Sequence, residues 1–177
     1  SQEGSEDRAA ERKRQEVDCL TMHGGRPTTF NNILVATDYS DTGQDALSEA
    51  LLLASERDTT TMHVVHVASS AGENVEITTA DGSLVTSVGN ALTQLEAHVE
   101  RARVAAIVQG EPIESERVSV HVRVGISEDE ILRLAADLAA DLIVLGTHGR
   151  RGLRALVLGS VATKVLARCS VPVLLVR

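Results

Sequence analysis

The sequence predicts an α/β fold: an open, doubly wound, five-stranded parallel sheet with helices on both faces. Three observations carry that prediction. Apolar runs at Ile33–Ala36, Asp141–Leu145 and Val171–Val176 have the near-continuous hydrophobicity of strands buried on both faces of a parallel sheet. Between the strand-like segments, apolar residues recur at helical spacing. Strand and helix patterns alternate along the chain, and right-handed crossovers turn such an alternation into a sheet covered on both sides.

Taken in order, Ile33-Leu34-Val35-Ala36 is the first strand, and Ala46, Leu47, Ala50, Leu51 and Ala54 mark a helix with Asp41 available as its cap. Thr61–Val67 reads as the second strand, completing a βαβ unit. The polar stretch Ser69–Ser83 reads as a loop. Val88, Leu92, Leu95, Val99, Ala102 and Ala106 then step by four and three, as the buried stripe of an amphipathic helix does. Arg117–Val124 alternates Val with Ser119, His121 and Arg123, so this third strand has one wet face and belongs near a sheet edge. Ser127-Glu128-Asp129-Glu130 has the form of a capping box ahead of Ile131, Leu134, Ala135 and Leu138. The fourth strand is followed by a loop over Gly146–Leu158, a helix from Ser160 to about Arg168, and the last strand.

Composition narrows the function classes. The chain has 177 residues, 43% of them hydrophobic but only 1% aromatic, so a single domain with an aliphatic core is expected. A net charge of −8 with one Tyr, one Phe and no Trp supplies neither the positive field nor the stacking platforms of a nucleic-acid binder. No stretch has the apolar length of a membrane helix, and no apolar signal-peptide core follows the charged start, so a cytoplasmic protein is expected. Cys19 and Cys169 are far apart and read as free thiols. Residues 1–29 are rich in charge and poor in apolar positions, which suits a flexible tail or docking arm ahead of a domain over 30–177.

Chemistry concentrates at two strand ends. The first strand ends in Thr37-Asp38-Tyr39-Ser40. The fourth ends in Gly146-Thr147-His148-Gly149, and nine residues later Gly159-Ser160 opens a helix. Glycines admit close approach of a ligand to the backbone, and a helix N-terminus offers free N–H groups to an anion. Arg150, Arg151 and Arg154 would add positive charge. A second reading has Gly146 and Gly149 serving a turn and Gly159 close packing; the residues alone leave both open. No metal-ligand cluster is apparent, and His63 and His66, three apart on a strand, fall on opposite faces. His23, His98 and His121 read as isolated, solvated side chains.

Gly146-x-x-Gly149, nine residues, then Gly159-Ser160 resembles the ATP-binding signature of the universal stress protein family. Ile33–Ser40, His66-Val67 and Val171–Val176 resemble that family's flanking segments in the same order. The resemblance runs from about Phe30 to Arg177, with a long insertion after the second strand. It implies the strand order 3-2-1-4-5, consistent with an edge position for the third strand. It also implies ATP, with Mg²⁺, as the ligand. Asp38 and Val67 would contact adenine, Ala36, Leu145 and Gly146 would line base and ribose, and Gly149, Gly159, Ser160 and Val161 would hold the phosphates. A homodimer through the last strand, Val171–Val176, is implied as well.

Three functions are compatible with this reading. The first is a nucleotide-binding regulatory module in the stress response. The second is a slow ATPase or a phosphoryl or adenylyl transferase, for which only Asp38 and His148 are candidate acid–base groups. The third is a nucleotide-free interaction protein.

Overall fold

The computed structural model describes residues 30–68, 86–148 and 158–177. Within them lie β1 (Asn32–Ala36), α1 (Asp41–Ser55), β2 (Thr61–Ala68), α2 (Thr86–Val108), β3 (Val118–Val124), α3 (Ser127–Asp137), β4 (Leu142–Gly146), α4 (Ser160–Arg168) and β5 (Val173–Val176). The five strands form one parallel sheet in the order β3-β2-β1-β4-β5. This is the fold class, strand order and edge position of β3 that the sequence implies.

The strand period of two sends alternate residues into two cores. Ile33 and Val35 of β1, Met62 and Val64 of β2, Val144 of β4 and Leu174 of β5 pack against Ala46, Leu47, Ala50 and Leu51 of α1 and Leu95, Val99 and Ala102 of α2. Leu34, Val65, Ile143, Leu145, Val173 and Leu175 pack on the other face against Ile131 and Leu134 of α3 and Ala162 and Val165 of α4. The helices therefore divide in pairs between the two faces. Leu92 departs from the expected stripe of α2 and is exposed.

Helix starts are the second departure. Ser40, not Asp41, caps α1, its side chain accepting the Gly43 N–H at 3.2 Å. Ser127 lies inside α3, whose cap residue is Ile126 with no side-chain hydrogen bond, so the expected capping box does not form. Glu128 instead turns sideways to Lys164 of α4 at 2.6 Å, and Asp129 meets Arg168 at the same distance. These carboxylates tie α3 to α4. The tail over 1–29, the loop after β2 and residues 149–157 lie outside the described residues.

Candidate functional site

At the carboxyl ends of β1 and β4, two turns lie side by side where the strand order reverses, which is where open α/β sheets take ligands. The first turn is tightly self-bonded. Asp38 Oδ1 accepts the backbone N–H of Ser40 at 3.1 Å and also its hydroxyl, and Tyr39 N–H donates to Thr37 Oγ1 at 3.1 Å. Tyr39 has φ 63°, an uncommon value for a residue with a Cβ. Its ring packs between His66, with centroids 4.6 Å apart, and His98, at 5.0 Å and nearly perpendicular. His66 is buried and donates from Nδ1 to the Thr37 carbonyl at 2.9 Å. His98 is thus a packing residue of this turn rather than a solvated one, and burial, then Arg101 and His66, lower its pKa.

The second turn is tied to the first. Thr42 Oγ1 donates to the His148 carbonyl, and Ser40 Oγ lies 3.4 Å from the same oxygen. Thr147 N–H reaches the Val176 carbonyl at 2.7 Å, and Gly159 N–H reaches the Thr147 carbonyl at 2.7 Å. That last bond clamps the start of α4 to the end of β4. The cap residue of α4 is Gly159, with no side-chain cap, and Ser160 behind it is exposed. Among the described residues, no side chain caps the first N–H groups of α4, the kind of groups that receive anions at helix starts.

The expected site residues fall into three groups. Ala36 and Leu145 are register partners on β1 and β4, and Val67 lies two residues beyond Val65, the other partner of Ala36. These three, with Val161 of α4, border the core under α3 and α4, and Leu145 is itself buried. Gly146 and Gly159 have packing roles of their own. A Cβ on Gly146 would stand 2.7 Å from the Thr42 backbone, and one on Gly159 would stand 3.1 Å from the Thr147 carbonyl. Asp38 and Ser160 frame the two ends of the arrangement. Gly149 and the three arginines at 150, 151 and 154 lie outside the described residues.

His148 hydrogen-bonds through Nδ1 to Thr147 Oγ1 at 2.9 Å, and its buried Nε2 has no hydrogen-bond partner among the described residues. Among the described residues no group of three or more His, Cys, Asp or Glu converges as a metal site would. Sequence reasoning missed the capping role of Ser40 and the contact of Thr42 with the second turn, although a Ser just ahead of an acidic first turn is a cap signal. It also missed the contact of His63 with His121, which no local pattern announces.

The family model for the universal stress protein family matches residues 29–177. The chain belongs to that family. Among curated members, Universal stress protein MJ0531 of Methanocaldococcus jannaschii is 30% identical over 150 residues, spanning 84% of this chain and 82% of that protein. Universal stress protein YxiE of Bacillus subtilis is 31% identical over 157 residues, spanning 84% and 99%. Among solved structures, that of MJ0577 superposes with a TM-score of 0.62 at 26% identity, covering 84% of this chain and 96% of the other. A universal stress protein crystallised in complex with cAMP has the same fold, with a TM-score of 0.57 at 21% identity, covering 85% and 98%.

Proposed function

We propose that the chain is a nucleotide-binding regulatory protein of the cytoplasm that takes ATP across the carboxyl ends of β1, β2 and β4. Asp38 and Val67 meet the adenine, while Ala36, Leu145 and Gly146 border base and ribose. Gly149, Gly159, Ser160 and Val161 receive the phosphates, with Mg²⁺ held chiefly by the phosphate oxygens. The observation that carries this reading is the start of α4, which no described side chain caps and which Gly159 bonds to the end of β4 at the switch point of the sheet. A family member crystallised with cAMP supports a nucleotide as the ligand class. His148 has no carboxylate among its described hydrogen-bond partners to orient it, which favours binding over hydrolysis.

A test through Gly159→Val would be ambiguous, because the new side chain meets the Thr147 carbonyl before it meets any ligand. Ser160→Asp separates the effects. A carboxylate in the first turn suits the helix dipole, so the fold keeps its stability, while the phosphates are repelled. Calorimetry with Mg²⁺-ATP is expected to show at least a tenfold loss of affinity in Ser160→Asp, and intact ATP after incubation with the parent. Equal affinity in both proteins overturns the phosphate placement, and steady release of ADP overturns the regulatory reading.

A further inference from the structure

On the face of the sheet that Val65 shares with α3 and α4, the polar side of edge strand β3 carries Ser119, His121 and Arg123. His121 is the register partner of Val65, and His63 lies two residues before Val65 on β2, so the two imidazoles are diagonal neighbours. Nδ1 of His63 and Nε2 of His121 stand 3.2 Å apart, with ring centroids at 5.3 Å and ring planes at 44°. Both side chains are partly exposed. No carboxylate forms an ion pair or hydrogen bond with either ring among the described residues, and the structure gives the pair no role in the turns of the nucleotide site.

We propose that His63 and His121 form an open, two-imidazole site for a late first-row divalent cation such as Zn²⁺, Ni²⁺ or Cu²⁺. Imidazole is a good ligand for these ions, and metal–nitrogen bonds of about 2.1 Å spanning 3.2 Å subtend about 100° at the metal, between octahedral and tetrahedral values. Without metal, the same two nitrogens share one proton in a hydrogen bond. On binding, the donor ring carries that proton on its other nitrogen, both lone pairs turn to the cation, and no proton is lost to solvent. Water completes the coordination, since among the described residues no third protein ligand converges.

The test uses the full chain with Zn²⁺ alone and no nucleotide, which separates this site from any Mg²⁺-ATP. In ¹⁵N spectra of the imidazole rings, His63 and His121 are expected to shift together and saturate at one equivalent. His121→Gln and His63→Gln, checked for folding by circular dichroism, should each lower Zn²⁺ affinity at least tenfold. If the two rings do not move with Zn²⁺, or if both variants bind as tightly as the parent, the site does not exist.

Discussion

The backbone carbonyl of Thr42 lies 2.7 Å from the point where a Cβ on Gly146 would stand. The first turn of α1 is thus pressed against the last residue of β4, and the glycine exists for that contact whatever ligand sits above it. Gly146→Ala is expected to force the two apart at a cost of about 1–3 kcal/mol. Urea denaturation would measure it. A midpoint unchanged from the parent would show that the backbone yields freely there.

At the end of α3 the backbone closes as a Schellman motif without its usual glycine. Ala140 N–H reaches the Ala135 carbonyl at 2.9 Å, Ala139 N–H reaches Ala136 at 3.1 Å, and Ala139 itself has φ 49°. A Cβ is costly in that conformation, and glycine gives back part of the gain as chain entropy. Ala139→Gly is expected to stabilise the protein by about 1 kcal/mol, read as a rise in melting temperature.

Arg117, just ahead of β3, donates to the carbonyls of Thr60, at 2.9 Å, and of Ala54 and Arg57. It satisfies acceptors at the end of α1 and fastens the edge strand to it. Hydrogen bonds to a charged group carry about 1.5–3 kcal/mol each. Arg117→Met, which keeps much of the stem, should therefore cost about 2 kcal/mol and speed amide exchange in β3. A loss confined to a few tenths would show that water replaces the guanidinium.

His63, His98 and His121 are all lowered in pKa, chiefly by burial. The folded state then holds fewer protons than the unfolded chain, whose imidazoles titrate near about 6.5. Their contribution is complete above that pH and is lost as pH falls through the lower folded values. Stability should decline from about pH 7 to pH 5, and His98→Gln with His121→Gln should flatten the decline. Glu128 has the same sign at lower pH, because Lys164 holds its carboxyl below the ordinary value.

The last strand carries the prediction about assembly. Val173, Leu174, Leu175 and Val176 are all buried within the subunit, so glutamates there would unfold the chain rather than probe an interface. The free groups are in the backbone. The carbonyls of Pro172 and Val176 accept from Ile143 of β4 and from Thr147 just beyond it, and the strand period turns the N–H groups of Val173 and Leu175 toward the open side. Among the described residues no strand pairs there. We propose a homodimer through this edge over Val171–Val176, since a flat apolar edge demands a cover. Light scattering should give twice the subunit mass at micromolar concentration, and the Val173 and Leu175 amides should be protected from exchange. A monomer with both amides exchanging quickly rules it out.

Local periodicity determined much of this protein. Strands buried on two faces read as unbroken apolar runs, helices as steps of three and four, and the one alternating strand as a sheet edge, because each pattern records only which sides of an element meet water. The glycine spacing, set among its matching flanks, likewise located the candidate site and the family. Tertiary structure alone decided what those residues touch. Thr42 against Gly146, Arg117 on Ala54 and His63 beside His121 join positions tens of residues apart, the last two pairs by 63 and 58. Such contacts are made by parallel crossovers that return each strand beside an earlier one, and no short window of sequence contains both partners. Whether a glycine spares room for a phosphate or for a neighbouring helix depends on that same packing, and at Gly146 the neighbour is the helix.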